Sequence, residues 1–119
     1  MSVFDTLVTV LGGTGATINQ PKSPRTAAVK ALPAIELFRV SSENQFFENG
    51  TKLLTIDRIQ VNMAAATYAG LETLLAAVQT ALDMNRTNFI LSFPLGVNVE
   101  GNDQNPQTYW LAADWMILY

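Results

Sequence analysis

Three glycines within four residues pose the first chemical question: Gly12, Gly13 and Gly15 lie in the stretch "VTVLGGTGATINQ", residues 8 to 20. A glycine-rich turn between a strand and a helix cradles phosphate groups through its backbone N–H groups. The dinucleotide fingerprint needs G-x-G-x-x-G, then an acid about 20 residues further on. Gly13 and Gly15 supply the first pair, but Ile18 holds the third position, and Gln20 and Pro21 block an immediate helix. The phosphate loop of the G-x-x-x-x-G-K-[ST] type fails as well, because no lysine follows at that spacing. The residues before the glycines have helical spacing, not strand alternation. The stretch therefore reads as a helix stop that opens a connection. A small nucleotide-binding enzyme using Gly12–Gly15 is the alternative that this reading displaces.

Other catalytic chemistry lacks its usual parts. The chain has no histidine and no cysteine, so the commonest general base, thiolate metal sites and disulfides are all missing. Glu36, Asp57, Glu72, Asp83 and Asp114 fall one to an element, and no spacing pairs them. Asp114 interrupts an otherwise apolar run and reads as a hydrogen-bonded structural acid. All three lysines fall in loop-like segments. The expectation is a protein without catalytic, cofactor-binding or metal-binding residues, not an enzyme. Asn49-Gly50-Thr51 and Asn85-Arg86-Thr87 match the glycosylation acceptor pattern. They are set aside because no signal sequence precedes them.

Two groups of residues look outward instead. Phe46 and Phe47 are adjacent, so on an extended segment they point to opposite sides. Either the hairpin twists back over them, or they offer an apolar contact to another chain. Lys22, Arg25 and Lys30 crowd one connection. They are either a solvated loop or a basic arm that docks on the acidic side of a neighbour.

The chain has 119 residues, the size of one domain, 1–119. Charged residues make up only 14% of it and apolar residues 49%, whereas about a quarter of a soluble domain is charged. Such a surface is either polar and uncharged or partly covered by other chains. The net charge of −3 is uneven: residues 1 to 40 carry four basic and two acidic side chains, and the remainder three basic and eight acidic. An acidic chain is a poor free-standing nucleic-acid binder, but unlike patches can complement each other between neighbours. No leader and no apolar run of membrane-spanning length appears, so a soluble protein made in the cytoplasm is expected.

The elements follow from spacing. Val3, Phe4, Leu7, Val8 and Leu11 predict a helix over 3–11, with Ser2 as its cap and Gly12 and Gly13 at its left-handed stop. Residues 14–32 read as a long connection. Residues 33–40 predict a strand with Ile35, Leu37 and Phe38 toward the core. A hairpin loop follows at 41–53, with Asn49-Gly50 as its turn. Residues 54–65 alternate, placing Ile59, Val61, Met63 and Ala65 on one side. Thr67 caps a helix over 67–83 whose apolar stripe runs Tyr68, Leu71, Leu75, Val78, Leu82, widened by Leu74 and Ala81. Residues 88–99 predict an edge or bulged strand, broken at Pro94 and Gly96. Residues 108–119 predict a central strand. The order α-β-β-α-β-β predicts an α+β fold: an antiparallel four-stranded sheet with two helices on one face.

Taken together, "TIDRIQVNMAAATYAGLETLLAAVQTAL", the strand pattern P-x-I-x-L-x-R-V from Pro33 and the closing "YWLAADWMILY" resemble the bacteriophage tail-terminator or tail-completion family. The 14–32 segment departs from that pattern. The resemblance implies a structural virion protein of the tail or neck, assembled in the host cytoplasm, without cofactor or membrane. It implies a homohexameric ring that caps the tail tube, stops its polymerisation and meets a head-side connector, while DNA passes through the bore without sequence-specific binding. Under that reading Lys22, Arg25, Lys30, Phe46 and Phe47 contact a subunit or partner. Glu43, Glu48, Asp57, Glu100 and Asp103 supply acids at the bore or ring faces. Another neck protein, a head-side adaptor or stopper, is the structural alternative.

Overall fold

The computed structural model describes residues 3–19, 32–104 and 107–119, and within them all side chains except those of Asn19, Val97, Asp103, Gln104 and Gln107. Two helices, α1 (Val3–Leu11) and α2 (Tyr68–Leu82), accompany five strands: β1 (Thr17–Asn19), β2 (Ala34–Phe46), β3 (Lys52–Ala65), β4 (Leu91–Gln104) and β5 (Gln107–Leu118). The strands form one sheet in the order β1-β2-β3-β5-β4. Four strands are antiparallel, as expected. The correction is β1, which pairs parallel to β2 through Thr17–Ala34, Ile18–Ile35 and Asn19–Glu36. The sheet is therefore mixed and has five strands. A three-residue strand carries too little periodicity to announce itself, and its pairing partner defines it.

Both helices pack on one face. β3 alternates residue by residue, so Ile59, Val61, Met63 and Ala65 are all buried beneath them. Ile35 and Leu37 from β2, and Leu111, Ala113, Trp115 and Ile117 from β5, complete that side of the core. From α2 come Leu71, Leu74, Val78 and Leu82, each worth about 1.5–3 kcal/mol on burial. Tyr68, expected on that stripe, is instead exposed, and Leu75 is half-buried. Phe38 turns to the opposite face of the sheet and is half-buried there. Thr67 caps α2 as expected, its Oγ1 accepting the Gly70 N–H at 3.0 Å. At the other end, the Trp115 indole N–H donates to Asp83 Oδ1 at 2.7 Å and ties the helix to the sheet.

The glycine stretch is corrected in detail. A 3-10 turn over Gly12–Thr14 continues α1, and the left-handed residue is Gly15, φ 79°. Side chains rarely adopt that conformation. The chain then enters β1, not a helix, so the glycines do not open a helix as a phosphate loop does. Ser2 lies outside the described residues, as does 20–31 of the connection.

Candidate functional site

Three surfaces stand out among the described residues. Among them, no group of three or more acidic side chains is placed to hold a metal ion, and no helix is long and apolar enough to cross a membrane.

One surface is a projecting hairpin. Residues 41–53, expected as a loop, are mostly strand: β2 runs on to Phe46, β3 starts at Lys52, and only 47–51 turn. Asn49 Oδ1 accepts the Thr51 N–H at 3.0 Å, the Gly50 N–H donates to Phe47 O at 3.0 Å, and Gly50 takes φ 85°. The Asn-Gly signal thus marks the turn correctly. The last segment of the chain accompanies β3 only from Thr55 onward, where Thr55 and Tyr119 exchange two backbone hydrogen bonds, so among the described residues the outer arm has no third strand beside it past that point. Its polar strand residues, Ser41 to Asn44, hid its length, because an arm without a core has no apolar alternation to reveal it. Phe46 is 58% exposed and Phe47 53%. Leu53, 50% exposed, adds a third apolar side chain to the arm that sequence reasoning missed.

At the arm's base lies an ionic knot around one buried acid, Asp57. Val40 is an extra residue between the pairs Arg39–Ile59 and Ser41–Arg58, a bulge that re-aims the strand. Arg39 Nε donates to Asp57 Oδ2 at 3.0 Å, and the Tyr119 hydroxyl donates to the same oxygen at 2.9 Å. The Arg39 guanidinium also sits 5.0 Å over the Phe4 ring of α1. Burial first, then the hydrogen bond and charge of Asp57, push the Tyr119 hydroxyl above its usual range, while Arg39 pulls it down. Asp57 is fully buried, which removes it from the acids expected at a bore or ring face. Its position could have been read from parity: Asp57 alternates in phase with Ile59, Val61 and Met63.

The sheet face away from the helices is a second surface. It carries half-buried Phe38, Ile56, Trp110 and Met116 around an ion pair, with Arg58 Nε donating to Asp114 Oδ2 at 2.8 Å and Nη2 to the same atom. Asp114 is thus the hydrogen-bonded acid the sequence suggested. Trp110 lies across Gly101 of the neighbouring strand, where an added Cβ would meet its ring at 2.6 Å.

The third surface is a cleft of about 290 Å³ where α2 meets the outer edge of the sheet. Tyr68 and Tyr109 meet there edge to face, centroids 6.0 Å apart. Glu100, Asn102 and Leu71 complete it. The Glu100 carboxylate first, then Glu72, raises the Tyr68 hydroxyl pKa.

The acids expected at the bore or ring faces are not brought together. Glu43 and Glu48 are exposed on the arm, and Glu100 is exposed on β4. Ile56, the partner of Glu43, and Met63, in the row of Glu100, are seven residues apart on β3, roughly 23 Å of strand. Asp103's side chain, and Lys22, Arg25 and Lys30 entirely, lie outside the described residues.

No family model matches the chain, and no curated protein does. Among solved structures it is similar to a chain in the virion of a native gene transfer agent particle. The TM-score is 0.63 at 14% identity, with 98% of this chain and 90% of that one covered. At that identity the likeness shows a shared fold.

Proposed function

We propose that this chain is a structural virion protein: a tail-terminator or tail-completion subunit. It forms a ring that caps the tail tube, stops its polymerisation and joins it to the head-side connector while DNA passes through. The observation that carries this reading is the whole-length likeness of fold to a chain of a virion. The sequence resemblance to the tail-terminator family points the same way.

The subunit's surfaces support an assembly role. Helices cover one sheet face only, and the other keeps large apolar side chains half-exposed. The arm carries Phe46, Phe47 and Leu53 away from the core, each at least half exposed. Exposed apolar groups on a chain so poor in charge fit contacts with other subunits. A cyclic ring needs two different patches that match each other, and the opposite edges of this sheet differ in sequence and shape.

Two measurements on the purified chain test the reading. Light scattering and negative-stain imaging should find a ring, and the ring should cosediment with tail tubes and halt their extension. A chain that stays monomeric at every concentration and ignores tubes would remove the proposal.

A further inference from the structure

We infer that the apolar end of the open sheet face receives the arm tip of a second copy of this chain, with Phe46 and Phe47 seated on that face and Glu48 meeting Arg86 at its rim. This rests on the ring reading and assigns residues to one of its contacts.

Strand register builds the receiving surface. On β3, β5 and β4, residues out of phase with the buried set lie on the face away from the helices. Two rows cross that face at the arm's end of the sheet. One is Ile56, Leu118, Leu91, and the next is Arg58, Met116, Phe93. The five apolar members are each half-buried, and both helices lie on the opposite face. They form one patch over three strands, about 10 Å across. Farther along the same face the next β3 residues are polar, Gln60 opposite Asp114 and Asn62 opposite Ala112. The apolar patch thus sits at the end from which the arm springs. Uncovered apolar patches of this kind mark contact sites.

The arm matches the patch in length and in chemistry. Glu43 pairs with Ile56, and the turn at Asn49-Gly50 begins six residues later, about 20 Å of strand. That reach spans the patch. The arm does not cover its own face, because the paired ribbon carries Phe46 along the strand direction away from Ile56. Phe46 and Phe47 accordingly remain more than half exposed. Glu48 follows them and is exposed. Arg86 is exposed as well, and the Asn85–Ser92 bridge sets it beside Leu91 at the edge of the patch. Among the described residues neither Glu48 nor Arg86 has an ion-pair partner, whereas Arg39 and Arg58 are held by Asp57 and Asp114. The loop that carries Arg86 is fixed in place. The Asn85 side chain donates to Ala81 O and Asn88 Oδ1, and accepts the Thr87 and Asn88 N–H groups. A prearranged backbone costs little ordering on contact. Arm and face are different patches, so their contact is head-to-tail, the kind that closes a ring.

The chain has no cysteine, so introduced ones report without background. E48C and R86C, mixed in equal parts and treated with a mild oxidant, should join to each other far more often than like to like, read by mass spectrometry of the linked peptides. Oxidised E48C/R86C should give a ladder of more than two chains. E48R and R86E should each weaken self-association about tenfold, because each sets like charges against one another, and E48R/R86E should regain it. F93S should weaken it as well. Circular dichroism of the charge variants should be unchanged, since both side chains are exposed. If light scattering finds rings but E48C and R86C link no more often than like pairs, the assignment falls and the ring stands. If E48C/R86C links only within single chains, the arm lies on its own face and the assignment falls. If the ladder stops at two chains, the copies exchange arms in a closed pair, so the contact stands and the ring falls. If no association occurs at all, both fall.

Discussion

The hairpin of β2 and β3 is two structures in one pair of strands. Its inner half, Ala34–Arg39 against Ile59–Ala64, lies beneath the helices and buries Ile35, Leu37, Ile59, Val61 and Met63 completely. Its outer half, Ser41–Phe46 against Lys52–Arg58, continues the same ladder past the helix layer. Thr55 and Asp57 are still buried there, beside the last residues of β5; beyond Thr55 the backbone pairing of two strands persists while the core ends. Hydrogen bonds alone contribute only about 0.5–1.5 kcal/mol each, and an isolated two-stranded ribbon is marginal in water. The outer arm therefore holds its shape because the inner half anchors it. Substitutions in the inner half should change stability, and those in the outer half should change association.

The largest effect is expected at Trp115, inside the anchor. It is almost wholly buried, and its indole N–H reaches Asp83 at the end of α2. Trp115→Ala should cost about 3–5 kcal/mol from lost burial and the cavity left behind. Urea unfolding would read the loss, and a cost under about 1 kcal/mol would mean that α2 does not depend on this contact. Arg39→Ala comes next, at the boundary between the halves. It leaves Asp57 buried with Tyr119 as its only hydrogen-bond partner among the described residues, a loss of about 2–3 kcal/mol. The outer arm should loosen with it, and hydrogen exchange across 41–46 should accelerate more than across 34–37.

The contrast between the halves also decides what the sequence made legible. The buried half could be read, because a sheet covered on one face forces alternation at Ile59, Val61 and Met63, and α2 forces its 3-and-4 spacing. The arm's strands could not. Ser41, Ser42, Glu43 and Asn44 face water on both sides, so nothing but the partner strand records that they are extended. β1 was unreadable for a related reason, since three residues make no period. Asp57 is a different failure. Its phase with Ile59 was visible, but the partners that hold it, Arg39 on β2 and Tyr119 at the end of β5, lie 18 and 62 residues away in sequence, and no local pattern announces them. The cleft was beyond reach, because Tyr68, Glu100 and Tyr109 meet only through the strand order β3-β5-β4.

A smaller effect is expected at Gly101, where the ring of Trp110 occupies the space of a side chain. Gly101→Ala must push that ring aside, which costs about 1–3 kcal/mol if the open face resists. Near-neutral stability would instead show that Trp110 swings freely, and the open face would then be a looser surface than the helix-covered one.

The alkaline limb of stability probes the boundary from another side. The Tyr119 hydroxyl is raised in the folded chain, by burial first and then by Asp57. The unfolded chain gives up this proton first as pH rises, so the stabilisation is intact below the ordinary tyrosine value and fades above it. Tyr119→Phe should flatten that loss above about pH 10, seen as a smaller drop in the urea midpoint between neutral and alkaline buffer. An unchanged limb would mean that Tyr119 is not what titrates.

The smallest effect on stability is expected on the arm, and it separates the two halves most cleanly. Phe46 and Phe47 are each more than half exposed beyond the last accompanying strand. Removing them leaves no cavity, because no core surrounds them. F46S/F47S should therefore change unfolding free energy by no more than about 0.5 kcal/mol, the range of surface substitutions. The same variant should lose ring formation or tube binding, measured by light scattering and cosedimentation. If it instead destabilises the chain by about 2 kcal/mol or more, the rings pack against the subunit itself and the arm belongs to the body. If stability and association are both untouched, the arm is solvated strand and the contacts of the ring lie on the open face and at the cleft.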